Sequence, residues 1–528
     1  MTVWPVLIVN ADDYGMHHDI NRGVRYCVEN GLVNSVSVAV NGQAFDKEEA
    51  AALLQLKKRY PDLSIGVHLM LTEGRPLTAS PTSWPGDIFP LHVFNLAGKL
   101  IQGRIRPDDV RFEWEEQVSK LVSYGIRPDH LDGHQHVHLI PGLWRIARSI
   151  ALKYHVPRIR TSYHSVIRAL FTGDPGAVLF QILALLRHAQ VPNAIRTLGV
   201  LSSCRFTVQS VLADVIASAD KKKKIEIMVH PAFLTENLQK TFGYWKASFE
   251  KEIFELEILR KIVASHRVSS DKELRTAYES FPFLVRCYVL IRNSLCPFGL
   301  LEKLVPEKGN IVSCGEGYGI FQVKLRAGSA YRTITSVEND PRRCKVLRSL
   351  SARHDFSVIE EDAVNYLRNT TEKFECVSFI DVLYQISYAR QNALMSLTFD
   401  RLDKSGTVLI KETCRSFRLR YMAAYLEECA VNSFMSMKPS FRYSYRTLNQ
   451  WKSLLEKIGF AKIAFFRTPR EKCNNFSWIL LAEKASQASL RTQKSAISRI
   501  ENHAEDIRLS TLEKFAASVG RRLEVKLS

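Results

Sequence analysis

Short β-branched runs alternate with helical patterns through the first half of the chain. "VLIVNADD" at 6–13 predicts a strand, and "INRGVRYCVENG" at 20–31 predicts a helix closed by Gly31. "VNSVSVAVN", "LSIGVHLML", "PDHLDGHQHVH", "VPRIRTSY" and "IEIMVHPAF" predict further strands. Strands separated by helices indicate βα units and a parallel sheet or barrel. Asp12, Asp13, His68, His134 and His230 stand where these apolar runs end. In a (β/α) barrel the carboxyl ends of the strands meet on one face. The pattern therefore gathers the unusual side chains where that architecture would assemble a site.

A polar stretch at 263–282 predicts a linker or joining helix, and a second alternating pattern runs from about 284 to "SWILLAEK". The residues after it read as helices followed by a short strand. The expected divisions are 1–268, 284–485 and 486–528. The fold class is α/β: an N-terminal (β/α) barrel-like domain, a C-terminal Rossmann-like domain and a short helical tail. A length of 528 residues accommodates two to four domains. The formal net charge of +19 favours anionic partners such as nucleic acid, lipid headgroups or phosphates, without selecting among them. The run Lys221–Lys224 reads as a solvated turn before the strand that follows it.

Ten cysteines without a CxxC pair read as reduced thiols. The chain enters a strand directly, with no basic region and long apolar core of a signal peptide. Both point to a cytoplasmic location, with a peripheral position at the inner membrane as the alternative. The most apolar run, "AVLFQILALL" at Ala177–Leu186, is too short to span a bilayer, which needs about 20 residues. It reads first as a buried helix and second as a surface helix that meets lipid or a lipid-linked substrate.

"HLDGHQHVH" places four histidines and an aspartate within nine residues. A divalent cation such as zinc takes nitrogen and oxygen ligands at about 2.0–2.2 Å, with an open position for water if it is catalytic. One aspartate and two histidines from separate strands, Asp13, His68 and His134, meet that need. Asp12 is adjacent to Asp13, and on a regular strand the two would face opposite ways. A bend is required to bring both into one site, and Gly15 is placed to permit it. His136 and His138 share a face with His134 only if the strand continues, so at least one is expected to be a supporting or structural group. A lone histidine at a strand end is usually a hydrogen-bonded bystander; four polar strand ends together are harder to assign to chance.

"LIVNADDYG", "NGQAF", "SIGVHLMLTEGRPL", "HLDGHQHVH" and "HPAF", in this order, resemble the YdjC/ChbG carbohydrate deacetylases over about 1–265. The resemblance implies a (β/α) barrel, a divalent metal, Mg2+ or Zn2+, and removal of an N-acetyl group from an amino sugar. The sugar would be chitooligosaccharide-like, or a lipid-linked N-acetylglucosamine as in a branch tied to hopanoid synthesis. It further implies that Asp13, His68 and His134 hold the metal, that Asp12 is the base and that His230 is the acid. Asp132 and Arg160 are candidates to orient these groups. Tyr14 and Gly133 depart mildly from the family pattern and remove no ligand.

"IVSCGEGYG" at 311–319 follows a strand-like run, and Glu338 ends the next apolar run about 20 residues on, the spacing of a nucleotide-binding βαβ unit. Over about 285–485 the chain resembles class I S-adenosylmethionine-dependent methyltransferases. The resemblance places Gly315, Gly317 and Gly319 at the glycine motif, Glu338 at the ribose-binding acid, Asp362 at the adenine contact and Asp381 at the fourth motif. Ser313 stands where an acid is usual. A nicotinamide dehydrogenase is the alternative for the glycine turn. A Rossmann-like domain without activity is the bland one.

The tail, from "TQKSAISRIEN" onward, resembles the later part of repressor- and antitoxin-type helix-turn-helix modules. Gln493, Lys494, Ser495 and Arg499 lie on the recognition-helix segment, and Ser510 caps the helix that follows. The preceding helix is nearly absent, so a DNA partner is the lesser expectation. The whole then reads as a deacetylase fused to a methyltransferase. Its expected partners are an N-acetylated sugar, an unidentified methyl acceptor and a peripheral membrane contact, and a homo-oligomer stays open. The rivals are a sugar- or DNA-binding regulator with degenerate catalytic domains, and a barrel hydrolase of another amide or ester.

Overall fold

The computed structural model describes residues 7–80, 82–202, 206–220, 223–233, 235, 238, 249–265, 272–315, 317–414, 443–467 and 477–484. The tail at 486–528, with Gln493, Lys494, Ser495, Arg499 and Ser510, lies outside them. The chain divides into two compact units, one built around 7–272 and the other around 305–463.

The first unit carries seven strands: β1 (Leu7–Tyr14), β2 (Ser35–Val38), β3 (Ser64–Leu69), β4 (His130–Gly133), β5 (Arg158–Ile159), β6 (Arg196–Leu198) and β7 (Ile225–Val229). They form one sheet in the order β5-β4-β3-β2-β1-β7-β6, with every pair parallel. That is the sequential ring of a barrel cut between β5 and β6. The helices of this unit are α1 (His18–Glu29), α2 (Lys47–Arg59), α3 (Val93–Ile101), α4 (Pro107–Ser123), α5 (Pro141–Lys153), α6 (Val166–Leu170), α7 (Pro175–His188) and α8 (Val208–Asp220), followed by Phe249–Ser265.

β1 shows how the sequence suits such a sheet. Leu7, Val9 and Ala11 are buried on one face, as expected where helices cover a parallel sheet. The alternate positions Asn10 and Asp12 are buried too, and they face each other's partners inside the sheet's curve. Asn10 Nδ2 donates to Asp12 Oδ1 (2.6 Å) and to Ser37 Oγ (2.8 Å). Period-2 alternation thus separates an apolar outer face from a polar inner one.

Each expected strand of this half is present, and all but β1 are shorter. The exception within a run is "HQHVH": β4 stops at Gly133, and His134–Leu139 forms a tight 3-10 turn with Gln135 (φ 47°) and His136 (φ 57°) in the left-handed region. β6 was not expected, because three residues carry no periodicity. The apolar run Ala177–Leu186 forms most of α7, but only Gln181, Ala184 and Arg187 of that helix are buried. Leu179 is 61% exposed, so the helix is not the buried one expected. Among the described residues no single helix is long and apolar enough to cross a membrane.

The second unit carries β8 (Gly309–Cys314), β9 (Arg332–Glu338), β10 (Ser357–Glu360), β11 (Phe374–Ile380), β12 (Leu402–Thr413), β13 (Phe460–Phe466) and β14 (Ser477–Lys484). Their order is β10-β9-β8-β11-β12-β14-β13, and β14 runs antiparallel to β12. The strand order reverses between β8 and β11. In open α/β sheets ligands bind outside the carboxyl ends of the strands at that point.

Gly23, in the middle of α1, lies against the segment that follows β7. A Cβ there would stand 2.5 Å from Ala232 Cα and 2.8 Å from Pro231 O. Glycine-to-alanine changes inside helices ordinarily gain about 1 kcal/mol. Gly23→Ala is expected instead to lose about 1–3 kcal/mol as α1 is pushed off the strand end that carries His230. Thermal unfolding checks the sign, and a raised Tm contradicts the close packing.

Candidate functional site

The carboxyl end of β1 supplies two carboxylates to one place because the backbone bends at Asp13 itself. Its φ is 66°, Gly15 follows at 101°, and the pairing of β1 with β2 shifts register between Ala11 and Tyr14. The bend expected at Gly15 therefore starts two residues earlier, on a non-glycine residue. Backbone strain of this kind costs about 1–3 kcal/mol and concentrates at functional sites.

Asp13, His68 and His134 converge, all buried. Asp13 Oδ1 lies 3.2 Å from His68 Nε2 and 3.0 Å from His134 Nδ1. One donor atom from each falls within 4.8 Å of the others. The other ring nitrogen of His68 is taken: Nδ1 lies 2.7 Å from Asp132 Oδ1. That contact leaves Nε2 as the donor that faces Asp13, the usual arrangement of a carboxylate behind a ligand imidazole. Burial works against charge on Asp13, yet the charge and hydrogen bonds of His134, the hydrogen bond of His68 and the charge of His230 hold its carboxyl well below the usual range. Burial likewise opposes charge on both imidazoles. Asp132 and Asp13 push His68 up to about 10, and Asp13 with Glu73 pushes His134 up to about 9. A metal bound here would compete with protons for these imidazoles.

Asp12, His68 and Asp132 form a second possible donor set. It already holds a cation. Arg160, its side chain fully buried, donates from Nη1 to Asp12 Oδ2 (2.6 Å) and from Nη2 to Asp12 Oδ1 (2.8 Å). The same Nη2 lies 2.8 Å from Asp132 Oδ2, and Nε donates to Glu226 Oε1 (2.7 Å). Asp13, which Arg160 does not touch, is the carboxylate left for a metal ion. The donor set of one carboxylate and two imidazoles suits a divalent transition ion such as zinc.

His230 follows β7 directly, with its imidazole close enough to lower the Asp13 pKa, and its backbone N–H donates to Glu252 Oε2 (2.6 Å). His138 belongs to neither donor set among the described residues, and its Nε2 donates to the Arg160 carbonyl (2.8 Å). His136 turns away, with Nδ1 3.1 Å from Ser162 Oγ and its ring against Phe180. His130 is buried between the Ser37 and Ser64 hydroxyls.

Sequence reasoning passed over three groups. Glu226 sits inside the apolar run "IEIMV", and a charge in such a run was a legible sign of a buried partner. Glu252 lies on the helix Phe249–Ser265, far along the chain. Glu73 sits at φ 58° in the loop after β3. Its Oε2 lies 3.5 Å from His134 Nε2, too long for a good hydrogen bond. Its Oε1 accepts from Gln135 Nε2 (2.9 Å). Glu113 on α4 fastens this loop, accepting from the backbone N–H of Leu77 and Thr78 and from the Thr78 hydroxyl.

In the second unit Gly315, Gly317 and Gly319 all adopt left-handed φ values of 72°, 69° and 86°. Gly317 N–H donates to Glu338 Oε2 (3.1 Å), and Glu338 Oε1 accepts from the backbone of Asn339 and Asp340. A Cβ on Gly315 would meet Val382 at 2.5 Å, so the glycine turn abuts the end of β11 beside Asp381. Asp381, with φ 54°, binds Lys411 Nζ at 2.6 Å. Asp362 stands apart from the turn in its bonds. It caps the helix Ala363–Asn369 through Val364 N–H and pairs with Arg390. Ser313 accepts from Gln322, which also reaches Ser336, so a neutral bridge stands where an acid is usual.

Arg160→Met removes the one cation shared by Asp12, Asp132 and Glu226. Breaking a buried ion network from one side costs about 3–5 kcal/mol. Denaturant unfolding is expected to register a loss of that size, and a loss below about 1 kcal/mol contradicts the role given to Arg160.

Residues 6–268 match the family described as YdjC-like protein. A carbohydrate deacetylase of Halalkalibacterium halodurans is 28% identical over 271 residues, covering 50% of this chain and 98% of that relative. A chitooligosaccharide deacetylase of Citrobacter koseri is 30% identical over 246 residues, covering 45% of this chain and 86% of the relative. Among solved structures, a SAM-dependent methyltransferase from Archaeoglobus fulgidus overlaps at TM-score 0.29 and 15% identity, covering 37% of this chain and 99% of that one. An overlap of that size adds nothing to the strand order and the glycine turn. Through its first unit, the chain belongs to the YdjC-like family.

Proposed function

We propose that the first unit is a metal-dependent hydrolase that removes the N-acetyl group from an amino sugar, chitooligosaccharide-like or lipid-linked. The observation that carries this reading is the convergence of Asp13, His68 and His134 beside Asp12, in a chain whose relatives are carbohydrate deacetylases. A divalent cation, when bound, supplies a Lewis acid that polarises the acetamide and acidifies a water. The chain's own residues do the rest. Asp12 Oδ1 accepts from Asn10 and Arg160, and Oδ2 from Arg160 alone, so Oδ2 keeps acceptor capacity for a proton of the attacking water. As the C–N bond breaks, His230 delivers a proton to the departing sugar nitrogen, and acetate and the free amine result. Asp132 keeps His68 turned towards Asp13, and Glu252 holds the backbone of His230.

The test is acetate release from N,N′-diacetylchitobiose by the full chain, stripped with chelator and resupplied with Mg2+ or Zn2+. Release is expected to require the metal, and Asp12→Asn is expected to lose about 10²–10⁴-fold. Release that ignores both the chelator and Asp12→Asn contradicts the reading.

The second unit is proposed to transfer a methyl group from S-adenosylmethionine to an acceptor not yet identified. The strand order with its antiparallel β14, the three left-handed glycines and the Glu338–Gly317 bond support it. Bound S-adenosylmethionine would supply the electrophilic methyl group. The glycine turn would let the backbone approach it, and Glu338 would hold its ribose hydroxyls. Equilibrium dialysis with labelled S-adenosylmethionine is expected to show binding that Glu338→Ala weakens at least about tenfold, or ~1.4 kcal/mol. Equal binding by native chain and variant contradicts the assignment of Glu338.

A further inference from the structure

Two helices of the first unit turn apolar side chains to solvent. On α3, Phe94 is 81% and Ile101 87% exposed, one heptad apart and so on one face. On α7, Leu179, Ile182 and Leu186 are exposed at helical spacing, and α6, which packs on α7, adds Phe171 at its end, 87% exposed. From Pro175 to Leu186, α7 carries no charged residue.

Both helices border the turn that carries His134. Gln135 accepts from Val93 N–H (2.8 Å) and donates to the Leu91 carbonyl (3.0 Å), tying that turn to the start of α3. The next residue, His136, packs its ring on Phe180 of α7, with centroids 5.0 Å apart. The apolar faces thus flank the residues next to the candidate metal site.

The flank is basic. Lys99, Arg104 and Arg106 fall within residues 91–106, which contain no acidic residue, and the chain as a whole carries +19. Apolar side chains on a helix surface with basic residues at its edge are the pattern of a helix that lies in a lipid headgroup layer. A protein-binding patch is ordinarily enriched in aromatic residues, Met and Arg. Here Phe94 and Phe171 are the exposed aromatics, and the rest of the exposed face is Ile and Leu.

We propose that α3 and the α6–α7 pair dock this unit on an anionic lipid bilayer surface, with the His134 turn held at the interface. Docking by these side chains does not depend on the hydrolytic reading. It presents the site to substrates whose sugar is held at a membrane surface.

Flotation of the full chain with phosphatidylglycerol vesicles tests it, against phosphatidylcholine vesicles and with acetate release from soluble diacetylchitobiose as the separate readout of the site. Native protein is expected to float with the anionic vesicles, to lose binding at high salt and to bind the neutral ones far less. Leu179→Ser/Ile182→Ser and, independently, Phe94→Ser/Ile101→Ser are each expected to weaken flotation at least about tenfold, with unchanged thermal unfolding. Native protein that fails to float overturns the proposal, and so do variants that float like native protein. A native dimer that the same variants convert to monomer, without vesicle binding, assigns the face to a second copy and overturns it as well. Loss of acetate release with flotation intact counts against the hydrolytic reading alone.

Discussion

One buried guanidinium decides what each carboxylate in the first unit can do. Arg160 binds Asp12, Asp132 and Glu226 at once, and all four side chains are buried. Three carboxylates packed there without a cation would repel one another and would be driven to take up protons. Arg160 engages both oxygens of Asp12 and leaves Oδ2 with capacity to accept. Asp132 can hold His68, and Asp13 is the acid without a guanidinium. The difference between neighbours Asp12 and Asp13, identical in chemistry, follows from this partner and from the left-handed bend at Asp13 that points the two side chains to different company.

Much of this was legible in the chain. Short β-branched runs marked six of the seven strands, and polar residues at their ends marked Asp12, Asp13, His68, His134 and His230, because strand ends on one side of a parallel sheet must meet. The rest depends on tertiary contacts that have no local pattern. Glu73 stands near His134 on a loop that Glu113, 40 residues later, ties to α4. The turn at His134 is set by left-handed backbone at Gln135 and His136, which a β-like "HQHVH" does not advertise. β6 is too short to show a period. The interior charge Glu226 was visible as an anomaly, although its partner was not.

The second unit follows the same division. Glycines at 315, 317 and 319 and an acid at 338 announced a turn and a facing carboxylate, and the Gly317–Glu338 bond joins them. Asp362 shows how an acid at a suggestive spacing can serve its own helix, since its oxygens cap the helix and bind Arg390. The apolar run at 177–186 makes a related point. Hydrophobicity alone suggested burial, whereas only the structure separates the inward face of Gln181 and Ala184 from the outward one of Leu179 and Ile182.

We propose that the cation belongs to Asp13, His68 and His134 rather than to the carboxylates that Arg160 holds. Anomalous X-ray scattering from crystals loaded with Mn2+ or Zn2+ locates it. A single anomalous peak is expected in this part of the molecule, bounded by the Asp13 carboxylate and the two imidazoles. A peak seated between Asp12 and Asp132, or none near His68, would contradict it.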